Sequence, residues 1–201
     1  DVKLDGDLFA LKGATINLGL ATGTSYLDGV IDNGGTVNLI LKNGATWINE
    51  ANNTRYEQDN EDYGSLDDEN IQASRVNTLT GGVNLSKAGV IQQDADSKDI
   101  VIGNLNGAIK VNYTSYADGN YADILGGTVT IDKAATGSQI AMITSNNKGI
   151  ATRDIATVDE ILGALASKLY YNDYATNGSN LTAVALGLSE GLTSSSVTKQ
   201  V

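Results

Sequence analysis

Cysteine, histidine and proline are all absent from the 201 residues of this chain. Without cysteine there are no disulfides and no thiol chemistry, although this leaves the compartment open, since exported bacterial proteins also often lack it. Without histidine there is no common general base, no Ser-His-Asp arrangement and no typical zinc site. Aromatic residues make up 5% and charged residues 18%, a poor composition for a helical bundle. No apolar run is long enough to cross a membrane as a helix. Basic residues are also scarce, at 13 against 24 acidic ones, for a net charge of -11. This balance argues against nucleic acid as a partner, because binding it requires cations that neutralise phosphates. Anionic membranes and acidic glycans are repelled too, unless a local basic site overrides the overall field. The chain opens on Asp1-Val2-Lys3-Leu4 without a signal peptide and stops on Thr198-Lys199-Gln200-Val201, and so reads as a piece of a longer exported protein.

Glycine, at 23 residues, is plentiful. Five segments containing it superimpose: Gly13 to Leu18, Gly34 to Leu39, Gly81 to Leu85, Gly107 to Val111 and Gly127 to Ile131. Each runs small, β-branched, polar, apolar. The polar column is Asn17, Asn38, Asn84, Lys110 and Thr130, with steps of 21, 46, 26 and 20 residues. A period of twenty-odd residues marks a solenoid. Period-2 alternation turns the aliphatic residues inward. Stacked as parallel strands, the repeats predict two ladders: Ile16, Val37, Val83, Ile109, Val129 and Leu18, Leu39, Leu85, Val111, Ile131. One repeat cannot bury its own apolar face, whereas a stack can. The Leu-x-x-Leu-x-Leu spacing of leucine-rich repeats is missing. The expected fold is all-β, a right-handed parallel β-helix with about 20–25 residues per coil. We expect one unit over 1–201.

Further strands are expected at Ala45–Ile48, Ser74–Leu79, Ile100–Ile102, Ile124–Leu125, Gln139–Thr144 and Leu181–Leu186, with a turn at Asn43-Gly44. The step of 46 residues contains a polar, acidic stretch at about 50–72. It either forms an extruded loop or hides a degenerate coil, and its sparse apolar content favours the loop. Residues 157–171 predict an amphipathic helix. Thr157 and Glu160 make a capping box, and Val158, Ile161, Leu162, Leu165 and Leu169 form one stripe.

Gly34-Gly35-Thr36-Val37-Asn38-Leu39, then Leu41-Lys42-Asn43-Gly44-Ala45-Thr46-Trp47, then Val76-Asn77-Thr78-Leu79-Thr80-Gly81-Gly82-Val83-Asn84-Leu85 resemble the passenger region of bacterial autotransporters, the type V secreted surface proteins. The likeness covers residues 13 to about 145. The acidic insertion and the 157–171 helix depart from the usual compact coil. The resemblance implies a right-handed β-helix displayed extracellularly at the bacterial cell surface, anchored in the outer membrane by a part of the protein outside this chain. It implies service in adhesion, aggregation or projection.

No phosphate loop, Rossmann fingerprint or kinase signature is present. Ser194-Ser195-Ser196 has no base beside it in sequence. Asp59, Glu61, Gly64, Asp67 and Asn70 loosely imitate an EF-hand loop, but Tyr63 occupies a ligand position and Asn70 stands where a bidentate Glu is needed. Calcium is the cofactor this pattern suggests, and a plain solvated acidic loop is the ordinary reading. Asp94, Asp96 and Asp99, or Asp118 and Asp123, are carboxylates close enough in sequence to suggest glycan hydrolysis. A polysaccharide-degrading β-helix is thus the competing class, and a purely structural spacer the third.

The favoured expectation is a non-enzymatic, monomeric adhesin-like segment. Its partner is a host or bacterial surface glycan or protein, and the segment itself does not insert into a membrane. The candidate binding residues are Arg55, Tyr56, Asp59, Glu61, Asp62, Tyr63, Asp67, Asp68 and Glu69 on the insertion. Tyr113, Tyr116 and Tyr121 follow at a second bend, where aromatic rings can stack on sugars or anchor a protein. The ordinary reading of that tyrosine cluster is cover for coil corners. Tyr170, Tyr171 and Tyr174 are expected to pack the end of the helix.

Overall fold

The computed structural model describes residues 1–52, 73–118, 121–144, 162–187 and 195–196. Most strands belong to two large sheets between which the chain alternates, and side chains from both join one hydrophobic core. The nine-stranded sheet has the order β1 (Lys3–Asp5), β4 (Tyr26–Asp28), β7 (Thr46–Ile48), β9 (Gly89–Gln93), β11 (Ala108–Asp118), β14 (Ser138–Thr144), β16 (Leu181–Gly187) and β17 (Ser195–Ser196), with β12 (Tyr121–Leu125) paired to β11. The six-stranded sheet runs β15 (Leu169–Tyr171), β13 (Val129–Ala134), β10 (Asp99–Asn106), β8 (Ala73–Thr80), β6 (Thr36–Leu41) and β3 (Thr15–Leu20). A small third sheet pairs β2 (Leu8–Ala10) with β5 (Ile31–Asn33) in the first two rungs. The fold is all-β. Every pairing between these strands is parallel except β11 with β12 and β16 with β17.

The register builds long apolar ladders. In the nine-stranded sheet Leu4, Leu27, Trp47, Ile91, Val111, Met142 and Ala185 stand one above the next. All but Leu4, at the open end, are buried. In the six-stranded sheet Leu18, Leu39, Leu79, Leu105 and Ala134 form one ladder, and Val76, Ile102, Ile131 and Tyr171 another. Each large aliphatic or aromatic side chain so enclosed contributes about 1.5–3 kcal/mol. Trp47 satisfies its indole N–H by donating to the Gly29 carbonyl at 2.9 Å.

These ladders correct the expected ones. Only the pairs Ile16–Val37 and Leu18–Leu39 survive from the repeat alignment. Ile109 and Val111 lie in the other sheet. Val83 is 90% exposed, and Leu85 starts a 3-10 turn, Leu85–Lys87, capped by Asn84. The ladder positions in that rung are Val76 and Leu79. The glycine signature marks corners, and both kinds of corner need small residues. Gly13, Gly34-Gly35 and Gly127 precede strands of the six-stranded sheet, whereas Gly81-Gly82 and Gly107 follow them. A Cβ on Gly35 would collide with the carbonyl oxygens of Leu11 and Ala14.

A shared bend hides the true period. In β8, β10 and β13 two residues, not one, separate the last two inward positions: Val76 and Leu79, Ile102 and Leu105, Ile131 and Ala134. At the bend a Cβ on Gly103 would lie 2.7 Å from the Asn77 carbonyl oxygen. The Asn77 side chain accepts from the Asn33 amide at 2.7 Å and from the Val37 N–H at 2.8 Å.

The helix differs from expectation. Residues 162–166 are helical, with Leu162, Leu165 and Ala166 buried on the core. The expected C-terminal turn is instead β15, paired to β13 through Val129↔Leu169 and Ile131↔Tyr171. The open edge of the six-stranded sheet captures an alternating Leu169-x-Tyr171 pattern, because edge hydrogen bonds outweigh a marginal helical propensity. Residues 157–161 lie outside the described residues. Tyr171 is fully buried and donates to the Asn177 carbonyl at 2.9 Å, while Tyr174 is 41% exposed. No described helix is long and apolar enough to cross a membrane.

Candidate functional site

The ladder in the nine-stranded sheet has uneven sequence spacing: 23, 20, 44, 20, 31 and 43 residues from Leu4 to Ala185. Each long step departs from the same edge. The chain leaves β7 at Ile48, leaves the parallel stack of β11 at Tyr113, and leaves β14 at Thr144. Tyr113 and Thr144 are register partners, and Ile48 pairs with Gln92, one residue before the Gln93 that pairs with Tyr113. The three long steps therefore leave the sheet at neighbouring positions. Across the first of these steps the flanking strands are direct neighbours, β6 with β8 and β7 with β9.

A buried polar column pins that corner from inside. Asn49 and Gln93, both essentially inaccessible, are joined by the Asn49 amide donating to Gln93 Oε1 at 2.9 Å. The same Asn49 nitrogen donates to the Lys98 carbonyl at 2.8 Å, and its oxygen accepts from the Ser74 hydroxyl at 2.5 Å. Ser74 Oγ in turn accepts the Ile31 N–H at 3.1 Å. Asn49 and Ser74 flank the acidic insertion, so their hydrogen bond closes its base. Beyond it, the Asn52 N–H donates to Asp7 Oδ1 at 2.9 Å and the Asn52 amide to the Asp28 carbonyl at 3.1 Å.

The outer surface of this corner is acidic. A hydrogen bond with Asp94, together with burial and the neighbouring charges of Asp94, Asp28 and Asp96, pushes the Glu50 carboxyl up to about 7. Asp28 is also raised, by burial first and then by Asp5 and Asp7. The Tyr26 hydroxyl donates to Asp5 Oδ2 at 3.1 Å, which raises its pKa as well. Among the described residues no three Asp, Glu, His or Cys side chains converge as metal ligands.

Tyr113 does not belong to a surface cluster. It is fully buried, its hydroxyl donates to the Gly127 carbonyl at 2.7 Å, and burial pushes its phenol up. The expectation of a ring available to sugars at that position is corrected: inward alternation along β11 turns it into the polar column above Gln93. Tyr116 and Tyr121 fall on the antiparallel hairpin of β11 and β12, in register with Asp123 and Asp118. Arg55, Tyr56, Asp59, Glu61, Asp62, Tyr63, Asp67, Asp68 and Glu69, with the EF-hand-like stretch, lie outside the described residues.

The opposite corner, where the chain returns to the nine-stranded sheet, carries tight turns and an open groove of about 640 Å³. Its lining includes Lys42, Thr80, Val83, Lys87, Asn106 and Thr136. Sequence reading missed this groove because its residues come from four separate turns. Comparisons with known protein families, with curated proteins and with solved structures find no match.

Proposed function

We propose that this chain is a right-handed parallel β-helix segment of an exported, surface-displayed bacterial protein, resembling an autotransporter passenger, and that it works as a rigid stalk presenting binding loops. The partner is a glycan or protein of a host or bacterial surface. The observation that carries the reading is the common root of the long excursions on one edge of an unbroken parallel stack. A stiff base reduces the entropy lost when a loop engages a partner. The Asn49–Ser74 closure supplies such a base for the acidic insertion. Deleting residues 53–72 and joining the ends with a short Gly/Ser linker tests it. Binding in a screen of glycans and matrix proteins falls while the circular dichroism of the sheets persists. Unchanged binding removes the insertion from the account and leaves a spacer.

One observation favours a second reading, a glycan-degrading enzyme. A Glu50 carboxyl that keeps its proton near neutrality beside Asp94 has the protonation a general acid needs. Glycan turnover abolished by Glu50→Gln would establish it in place of the adhesin reading.

A further inference from the structure

We propose that the groove on the turn-bearing corner is a binding site for an anionic saccharide chain, with its carboxylate or sulfate seated on Lys42 and Lys87. The site is independent of the insertion and stands whether or not the insertion binds anything. The two lysines are brought together by the fold. Lys42 and Ala88 form an antiparallel bridge, and the Asn43 N–H donates to the Lys87 carbonyl at 2.7 Å. Among the described residues neither ammonium has a hydrogen bond or ion pair, and no carboxylate lines the groove. In a chain of net charge -11, the groove stands out in carrying two lysines and, among the described residues, no carboxylate. An anion seated in the groove is attracted by both ammoniums.

The rest of the groove suits a sugar polymer. It crosses four consecutive corners, at Lys42-Asn43, Thr80 to Val83, Asn106-Gly107 and Thr136-Gly137. At the usual strand spacing this is about 14 Å along the stack. Thr80 and Asn106 supply donors and acceptors for sugar hydroxyls, and Thr136, whose hydroxyl donates to Asn180 Oδ1 at 3.2 Å, can accept from them. The groove stays unfilled at its far end, since Gly137 has φ +84° and a Cβ there would meet nothing within 4 Å. At the near end the loop bearing Val83 is fixed by Asn84, which accepts from the Lys87 N–H at 3.2 Å and from the Ser86 hydroxyl at 2.6 Å. The acidic corner would repel such a ligand, and its place across the stack leaves this one free for it.

The test is titration of the whole chain with three oligosaccharides of equal length, one carboxylated (an oligogalacturonate), one sulfated and one neutral, followed by amide NMR shifts and calorimetry. Either anionic probe is expected to bind, with shifts at Gly82, Gly107 and Gly137 and an affinity that falls with salt. Which of the two binds identifies the anionic group. Lys42→Ala with Lys87→Ala lowers that affinity about 10-fold or more, the loss expected for charge-assisted hydrogen bonds. Val83→Asp, at a 90% exposed position the fold tolerates, has the same effect by placing a carboxylate on the rim. Lys12→Ala, outside the groove, changes nothing. Binding of neither anionic probe, equal binding of the neutral one, or affinity indifferent to the lysine pair overturns the proposal.

Discussion

Replacing Asn49 by alanine attacks the closure at the base of the insertion. Asn49 has no accessible surface, and its side chain makes three hydrogen bonds, to Ser74, Gln93 and Lys98. Its loss leaves the Ser74 hydroxyl without an acceptor and Gln93 Oε1 without this donor, both in a dry interior. A buried polar group left unsatisfied costs about 1–3 kcal/mol, so the substitution is expected to cost about 3–5 kcal/mol. That is a large part of the roughly 5–15 kcal/mol of a typical domain. The site lies mid-stack, and a defect there separates neighbouring rungs whose stability depends on contact. The outward ladder is the control. Asn38 donates to Asn17 at 2.9 Å on the exposed face, and Asn38→Ala should cost about 1 kcal/mol or less. Urea unfolding followed by circular dichroism measures both, with the slope checked for a change in cooperativity. Equal costs for the two variants would refute the view that the interior column pins the corner.

Two further predictions concern backbone and charge. Gly35→Ala should destabilise by about 1–3 kcal/mol or more, because its Cβ has no room beside two carbonyl oxygens, whereas Gly19→Ala, with nothing within 4 Å, should be neutral or slightly stabilising, and thermal melts separate them. Glu50 binds its proton more tightly in the folded chain, at about 7, than at its ordinary 4.5. Its contribution is therefore fully present below about pH 4.5 and is lost as pH rises through 7, with Asp28 acting in the same sense. The melting temperature should fall across that window, and Glu50→Gln should flatten the fall; an unaltered slope would count against the carboxyl pair.

The fold class was legible because alternation and glycine corners are local signals. Asn17 over Asn38 and the strand at Ser138–Thr144 are read directly from the chain. The register beyond the second rung was not. The repeat at Gly81 begins where β8 ends, and the shared bend between Val76 and Leu79 breaks the period of two on which alignment depends. The end of the predicted helix was lost to a sheet edge contributed by Val129–Ala134, a partner remote in sequence. At the site, Glu50 was visible only as one acid among many, and its pairing with Asp94 depends on β7 lying beside β9. Tyr113 looked like a surface residue because the tyrosines around it cluster in sequence, while its direction is set by β9 and β14 on either side.

Cross-linking by engineered cysteines tests the central claim, a parallel stack that passes the acidic insertion without a break. The chain has no native cysteine to confuse the result. Asn38 and Thr78 are direct register partners across the insertion, whereas the repeat alignment pairs Asn38 with Asn84. Neighbouring strands lie about 4.8 Å apart, within disulfide reach. Asn38→Cys with Thr78→Cys should oxidise readily to one intramolecular disulfide, and Asn38→Cys with Asn84→Cys should not. The reverse outcome would contradict the register, and with it the unbroken stack on which the proposed loop presentation depends.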